Sequence, residues 1–347
     1  MVTYLLGAGA SANALPVVKG FKERFRLFIN DTFSLQIVNE QISTIAGIEP
    51  KLNGNDFFVN QTNSLLNHFT PDTFARKVFL EKGIDSIEYK SIKRIISTYF
   101  LWEQFKKDSF NIPFIFDDSD VINYKMTLEK RIKEILDYRY DVFCATLLQK
   151  NPSNDLILPK DVNIISWNYD WQIEKSIQQY STGKMLSEVL KQNNIYKLNG
   201  TANFKLNNRK QESIKEFEFD EYNYNSDETK TLLLDINKGN KDKELTNLLS
   251  FAWENKDDSI ITNSINALKQ SNCIVIIGYS FPYFNRVVDR RLFKAIDNKK
   301  IVLQYPSEEE YLQARSNIEE LIPPNSQCKI IPKLSVEQFY IPEELIV

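Results

Sequence analysis

Short runs of apolar, mostly β-branched residues, each bounded by turn residues, constrain the fold of this chain more than any other feature. The runs are nearly continuous and do not alternate with polar residues, which is typical of strands that are covered on both faces in a parallel sheet. The runs cover residues 2–6, 162–166, 195–198, 231–235, 273–278, 300–305 and 328–332. Segments of helical periodicity stand between several of them, at residues 171–180, 264–272, 289–298 and 308–321. Strands that alternate with helices predict a doubly wound α/β fold.

The segment between about residues 20 and 160 has a different pattern. Apolar residues recur at helical spacing over 87–108 and again over 125–150, and Pro152 follows the second segment closely enough to end a helix there. We therefore predict a mainly helical module that is inserted into a Rossmann-like domain with a parallel sheet. The predicted sheet domain is discontinuous and consists of residues 1–20 and 160–347, with the inserted helical module at 21–159.

Composition limits the classes of function. The chain has 347 residues, of which 42% are hydrophobic and 26% are charged, as is ordinary for a folded soluble protein. Its net charge of -3 gives no support for a nucleic-acid binder, a class that usually has an excess of basic residues. The three cysteines form no C-x-x-C pair, so neither a metal site nor a disulfide framework is predicted. We also expect a cytoplasmic protein without a membrane span, because no apolar run is long enough and no signal peptide is visible.

The first predicted strand runs directly into Gly-Ala-Gly-Ala-Ser at residues 7–11. Glycines let the backbone turn tightly and approach a pyrophosphate, while the start of a helix offers amide N–H groups. Two interpretations stay open on these residues alone: a phosphate-binding loop, or a tight strand-to-helix turn without a ligand. Ala12 stands where the usual dinucleotide fingerprint has its third glycine, and no Gly-Lys-Ser/Thr follows, so neither an ordinary dehydrogenase pattern nor a Walker loop is present.

Polar and glycine-bearing loops follow three further predicted strands. In open α/β sheets, ligands bind outside the carboxyl ends of the strands. Each loop taken alone is explained by turn chemistry, since Asn, Asp and Gly are favoured in turns. The four loops together predict one ligand-binding crevice. The residues of the three later loops are Asn168 and Asp170, then Asn199, Gly200 and Thr201, and finally Gly278, Ser280 and Asn285.

The motifs in these loops resemble those of the bacterial sirtuin-like proteins. They are GAGAS at 7–11, NYD at 168–170, NG at 199–200 where HG is usual, and IIGYSF at 276–281. The resemblance covers residues 1–20 and about 160–305, and it rests on the order, spacing and strand context of the motifs. It implies that NAD binds in the crevice as substrate or ligand.

The resemblance also implies which residues contact NAD. Asn168 and Asp170 match the pair that faces the nicotinamide and its ribose, and Gly278 and Ser280 match the loop that contacts the adenosine half. Gln304 falls where the family often has a residue near the adenosine ribose, but the match is loose, and a plain strand-end residue is the favoured interpretation. The implied NAD-binding residues are Gly7, Ala8, Gly9, Ala10, Ser11, Gly200, Thr201, Gly278 and Ser280.

Two departures from the family pattern limit the chemistry. Residues 202–272 contain no cysteine, although sirtuin deacetylases carry a zinc ribbon of two C-x-x-C pairs there, so neither zinc nor protein deacetylation is expected. Asn199 replaces the catalytic histidine, and an asparagine neither takes nor gives a proton near neutral pH. The one histidine, His68, lies in the predicted helical module, where we expect it on a helix face.

The resemblance implies a hydrolase that cleaves NAD to nicotinamide and ADP-ribose, with Asn168, Asp170 and Asn199 as the catalytic set. Cleavage passes through an oxocarbenium-like state, and the nicotinamide leaves without needing an acid. Sirtuin-like enzymes of this kind are commonly anti-phage effectors, so a homo-oligomer or a partner defence protein is expected. Two alternatives stay open: an inactive sensor or assembly subunit that binds NAD or ADP-ribose, and a hydrolase or transferase for another nucleotide derivative.

Overall fold

The computed structural model describes residues 1–16, 20–29, 64–105, 136–181, 184, 186–206, 216–217, 245–254, 258–294 and 296–345. The chain forms two compact units. The first unit consists of Met1–Asn13, Leu136–Thr201 and Ser250–Val347, and the second of Ala14–Ile135 and Ala202–Leu249. The domain division predicted at residues 21–159 stays a prediction.

The strands follow one another in the chain as short elements. They are β1 (Val2–Leu6), β2 (Gln149–Lys150), β3 (Leu156–Ile157), β4 (Val162–Ser166), β5 (Ile195–Lys197), β6 (Gly200–Leu206), β7 (Glu216–Phe217), β8 (Leu245–Leu249), β9 (Cys273–Ile277), β10 (Lys300–Gln304) and β11 (Lys329–Lys333). Six of them form one sheet of order β11-β10-β9-β1-β4-β5, and every pairing in it is parallel. This sheet and its flanking helices confirm the predicted Rossmann-like α/β fold.

The order of the strands defines a switch point in the sheet. β1 lies in the middle and pairs with β4 on one side and with β9 on the other. The chain first builds the β4–β5 side and then crosses back to build β9, β10 and β11. Ligands of open α/β sheets bind at the carboxyl ends of the strands beside such a reversal. The residues that directly follow β1, β4, β5 and β9 therefore lie at the edge where sheets of this kind bind ligands.

The sheet is covered on both faces, which explains the continuous apolar runs. All five residues of β1, β4 and β9 are buried. Alternate residues of a strand point to opposite faces, so Tyr4 packs in one core cluster and Leu5 in the other. The buried hydroxyl of Thr3 is paired with the hydroxyl of Ser271, at 2.6 Å between the oxygens.

Along the chain, helices of both units alternate with these strands. They are α1 (Pro71–Lys82), α2 (Ile87–Phe105), α3 (Tyr138–Leu147), α4 (Gln172–Tyr180), α5 (Leu186–Gln192), α6 (Asp258–Gln270), α7 (Arg286–Phe293) and α8 (Glu308–Leu321). The bounds predicted for residues 308–321 are confirmed, and the Ser307 side chain caps this helix by accepting a hydrogen bond from the Glu310 amide. The run predicted as a strand at 231–235 lies outside the described residues.

Two predictions for the segment 20–160 were wrong. The helix predicted over 125–150 does not run through its described part, because Asp137 caps a helix, α3, that begins at Tyr138 and ends at Leu147, and Gln149–Lys150 form β2. Residues 125–135 lie outside the described residues. A side-chain cap and an extended C-terminal residue interrupt a helix without changing the spacing of its apolar residues. His68 does not lie on a helix face: it lies in a bend before α1, and its ring stacks on Phe74.

The second unit has its own core. Residues 20–29 are helical, and their aromatic side chains pack against those of α2. The contacts join Phe21 and Phe25 to Tyr99, and Phe28 to Trp102. This unit also holds a three-stranded sheet of order β7-β6-β8.

Candidate functional site

The loop after β1 packs against the loop after β9, backbone to backbone. The Gly9 amide donates to the Gly278 carbonyl at 3.0 Å. A Cβ on Gly7 would overlap the Tyr279 backbone, and a Cβ on Gly278 would lie 2.5 Å from the Gly9 Cα. Gly278 also has a φ of +57°, in the left-handed region that favours glycine. The glycines at these positions therefore have a structural reason that does not depend on a ligand.

Some backbone groups of the glycine-rich loop are already used inside the protein. The Ala10 amide donates to the Gly7 carbonyl at 2.9 Å, and the Gly9 amide is engaged with Gly278. Ala8 is exposed and Gly9 is half-buried, whereas Ala10 and Ser11 are buried. Of the residues predicted to contact the pyrophosphate, Ala8 and Gly9 are thus the ones that present surface.

Asn168, which follows β4, lies directly against the glycine-rich loop. Its Nδ2 donates to the Gly7 carbonyl at 3.0 Å and to the Ser11 hydroxyl at 3.3 Å. The backbone amide of Asn168 donates to the Ser166 hydroxyl at 3.1 Å. The structure therefore brings the first and second predicted loops together, and it commits the Asn168 side-chain nitrogen to that contact.

Asp170 is buried, and two interactions fix its position. Its Oδ1 accepts from the Gln172 amide at 3.1 Å, at the start of α4. Its carbonyl accepts from Lys197 Nζ at 2.5 Å, which ties the end of β5 to the loop after β4. Lys197 also lies 3.4 Å from the buried carboxylate of Glu174. Burial raises the pKa of Glu174, and the positive charge of Lys197 opposes that rise.

Asn199, at the end of β5, contains a buried acceptor without a donor. Its Nδ2 donates to the Trp167 carbonyl at 3.0 Å, and its own carbonyl accepts from the Ser250 amide at 2.9 Å. The Oδ1 of Asn199 has no hydrogen-bond partner among the described residues, and neither has Nε1 of Trp167. An unsatisfied buried polar group costs about 1–3 kcal/mol and calls for an explanation such as a bound ligand. Gly200 next to it has a φ of +62°, and Thr201 is buried.

The loop after β9 is anchored through Tyr279, with Ser280 at its exposed tip. The Tyr279 ring stacks on Trp167, with 5.8 Å between ring centroids, and its carbonyl accepts from the Tyr305 hydroxyl. The Tyr279 hydroxyl donates to the buried carboxylate of Asp289 and accepts from Asn285 Nδ2. Burial raises the pKa of Asp289 to about 7, while the Tyr279 hydrogen bond and the Arg286 charge oppose that rise.

Three residues that were not predicted from the sequence hold the glycine-rich loop by hydrogen bonds. Asp137, Arg139 and Tyr140 are all buried, at the start of α3. Arg139 Nη2 donates to the Gly9 and Ala10 carbonyls, each at 3.1 Å, and to Asp137 Oδ2 at 2.6 Å. The Tyr140 hydroxyl lies 3.3 Å from the Ser11 hydroxyl. An aspartate before a helix signals a cap, but nothing in the sequence shows which loop the neighbouring arginine contacts.

Gln304, at the end of β10, holds the C-terminal segment 335–340. Its Nε2 donates to the Ser335 and Gln338 carbonyls at 2.6 and 2.7 Å, and its Oε1 accepts from the Tyr340 amide at 2.9 Å. The Gln304 side chain is buried and its groups serve this segment. In this structure Gln304 therefore anchors the segment 335–340 at the end of β10, and the ribose contact that the resemblance implied stays a prediction.

A group of aromatic rings borders the loops after β4 and β9. The Phe251 ring packs edge-on to Tyr169 and stacks on Trp253, which in turn packs edge-on to Phe284. Phe251 is buried, and the other three rings are half-buried. Partly exposed rings beside polar loops are suited to contact a flat heteroaromatic group.

The described part of the chain contains no group of three or more His, Cys, Asp or Glu side chains that could hold a metal ion. Among the described helices, none combines the length and the apolar character that a membrane crossing requires.

No protein-family model matches the chain, and no curated protein matches it. Among solved structures, the chain is similar to Sir2Tm bound to a propionylated peptide, at 11% sequence identity and a TM-score of 0.29. That similarity covers 96% of this chain and 87% of the other chain. A likeness of this size assigns the chain to no family and shows nothing about its function.

Proposed function

We propose that the carboxyl edge of the sheet in the first unit binds NAD and hydrolyses it to nicotinamide and ADP-ribose. The observation that carries the proposal is the contact of Asn168 with the Gly7 carbonyl and the Ser11 hydroxyl. This contact joins the N-x-D loop to the glycine-rich loop beside the switch point of a doubly wound sheet, which is where such folds bind nucleotides.

The residues at this edge fit a dinucleotide in three respects. Ala8, the exposed residue of the glycine-rich loop, presents its backbone to a phosphate, and the half-buried rings of Tyr169 and Trp253 suit a flat heteroaromatic ring. The unpaired Oδ1 of Asn199 is an acceptor for a donor group of the ligand, once the side chain turns toward it. NAD supplies such donors in its carboxamide and ribose hydroxyls.

The chemistry that we propose requires little proton transfer. The bond to the pyridinium ring breaks without an acid, so the protein has to stabilise positive charge on the ribose and place a water. Asp170 is suited to the first task, because its carboxylate is held at the start of α4 and beside the Lys197 contact. With Asn199 in place of a histidine, the reaction lacks a base, which lowers the rate by about 10²–10⁴-fold.

The biological role that we propose is depletion of NAD by an anti-phage effector, acting as a homo-oligomer or with a partner defence protein. The slow turnover that we expect of a site without a base would suit an enzyme that a partner activates. Loss of protection against phage in an Asp170→Asn strain would support this role, and unchanged protection would overturn it.

The test of the activity is nicotinamide release from NAD by the purified protein, followed by chromatography. Asp170→Asn should reduce the rate by about 10²-fold, because it removes a fixed charge that stabilises the transition state. Asp161→Asn is the matched control, since Asp161 is exposed and precedes the other end of the same strand, β4. Equal rates in both variants would overturn the proposal. NADP and ADP-ribose, tested alongside, show whether another nucleotide derivative is the substrate.

A second candidate function is a sensor or assembly subunit that binds NAD or ADP-ribose without cleaving it. Two observations favour it: Asn199 exchanges no proton, and the Asn168 side-chain nitrogen is already committed to Gly7 and Ser11. The two functions differ in the fate of the ligand. A sensor would be stabilised against unfolding by about 2.7 kcal/mol at one hundred times the dissociation constant, with NAD remaining intact.

A further inference from the structure

We infer that the buried Asp137–Arg139 ion pair is a positioning pair, which holds the glycine-rich loop and the loop of Asn168 and Asp170 in one fixed arrangement. The inference deepens the proposed function and rests on it for the identity of the ligand. Neither residue stood among the candidate site residues in the sequence.

The pair reaches the glycine-rich loop through its carbonyl groups. Arg139 Nη2 donates to the Gly9 and Ala10 carbonyls, and the Asn13 amide donates to Asp137 Oδ2 at 3.1 Å. These contacts lie in the middle of the turn that follows β1 and at its end. The turn is thereby held through two carbonyl oxygens and one amide N–H.

The backbone of Asp137, which its side-chain contacts with Arg139 hold in place, reaches Asp170 through one intermediate residue. The Asp137 amide donates to Gln172 Oε1 at 2.8 Å, and the Gln172 amide donates to Asp170 Oδ1 at 3.1 Å. The neighbouring Tyr140 hydroxyl pairs with the Ser11 hydroxyl, which also accepts from Asn168. Two hydrogen-bonded routes therefore run from the start of α3 to the two loops.

Arg139 acts through geometry and does not bind a phosphate itself. The residue is 4% exposed, and its Nε and Nη2 bind Asp137 Oδ1 and Oδ2 at 2.9 and 2.6 Å. Its remaining Nη1 donates to the Val336 carbonyl at 3.4 Å. Because Asp137 compensates the charge, what Arg139 contributes is the fork of donors that spans a carboxylate and two carbonyls.

The test compares this pair with a second ion pair that serves as a matched control. Arg24 and Glu103, in the second unit, form a similar fork with 2.6 Å between Nη2 and Oε1. Asp137→Asn with Arg139→Gln, and separately Arg24→Gln with Glu103→Gln, remove the charges of one pair at a time. Neither double variant leaves a buried charge uncompensated, which improves the chance that it folds.

The first readout is amide hydrogen exchange in a peptide that covers residues 7–13, measured without any ligand. We expect exchange at least about tenfold faster in the Asp137/Arg139 variant than in the wild type, and unchanged exchange in the Arg24/Glu103 variant. Equal exchange in the wild type and the Asp137/Arg139 variant would overturn the inference, as would equal acceleration by the control.

The second readout is the dissociation constant for NAD, which we expect to rise about tenfold in the Asp137/Arg139 variant because the loops are no longer preorganised. Faster exchange with unchanged NAD affinity would overturn the inference. If the wild type binds no NAD, the proposed function fails, and the exchange readout alone then decides whether the pair positions the loops.

Two single variants keep the test decisive if the double variant does not fold. Tyr140→Phe removes only the contact with Ser11, and we expect about threefold faster exchange at residues 7–13. Arg139→Lys keeps the charge but not the fork, so exchange at residues 7–13 should be about threefold faster than in the wild type. Wild-type exchange in both would overturn the inference.

Discussion

The two sides of the site are held together by different physical means. On the β9 side, the loops after β1 and β9 touch through their backbones, and the glycines are needed because a side chain would have no room. On the β4 side, the loops after β4 and β5 are joined by buried polar side chains, among them Lys197, Glu174 and Asn199. The β9 side therefore depends on the absence of side chains at its glycines, whereas the β4 side depends on compensated charges and hydrogen bonds.

The largest effect is expected from a variant that disrupts the β4 side. Lys197→Met leaves the Glu174 carboxylate buried without its partner, so the free energy of unfolding at neutral pH should fall by about 3–5 kcal/mol. Urea unfolding measures this change. A companion variant, Lys197→Met with Glu174→Gln, removes both charges and should recover most of the loss. If the companion is as unstable as the single variant, charge compensation is not what holds this side.

A somewhat smaller effect is expected from a variant that disrupts the β9 side. Gly278→Ala places a Cβ against the Gly9 backbone in a left-handed conformation, and the free energy of unfolding should fall by about 2–4 kcal/mol. Gly83→Ala is the control, because Gly83 has a φ of +84° and open space around it. The control should cost only the strain of its own backbone conformation, with φ of 84° and ψ of 169°, which is about 1–3 kcal/mol. Equal losses in the two variants would show that the close backbone approach is unimportant.

The smallest effect is expected from Asp289, a buried carboxyl group on the β9 side whose pKa is raised. The pKa of Asp289 is raised by burial to about 7, while an unfolded aspartate has a pKa of about 4. Between these values the folded protein holds a proton that the unfolded chain lacks. The corresponding stability is fully present below about pH 4 and is lost as the pH rises through 7.

From pH 5 to pH 8, this group should lower the free energy of unfolding by about 2–3 kcal/mol. Asp289→Asn cannot titrate, so the difference between wild type and variant in urea unfolding should change by that amount over the same range. Tyr279 and Arg286 are the polar neighbours that oppose the shift and stay in place in the variant. A difference that does not vary with pH would show that Asp289 is ionised throughout.

Much of the fold could be predicted from the sequence, because a strand buried on both faces leaves a continuous apolar run. The bounds of β1 and β4 agree with the predicted runs at 2–6 and 162–166. The break at Asp137 could not be predicted from periodicity, because the apolar spacing continues through it. Candidate site residues could be named where loops carry polar groups, whereas Asp137, Arg139 and Tyr140 were missed because they reach the loops from a distant part of the chain.

The sequence by itself determined the six strands of the parallel sheet, the loops that follow them and the candidate residues in those loops, since these depend on local pattern and on the geometry of parallel sheets. Only the tertiary structure decided what those residues touch. It gave Gly7, Gly9 and Gly278 a packing role, committed Asn168 to the first loop, and placed Arg139 behind that loop. The physical reason is that hydrogen-bond partners and close backbone contacts join residues that are far apart in the chain, and neither spacing nor composition records them.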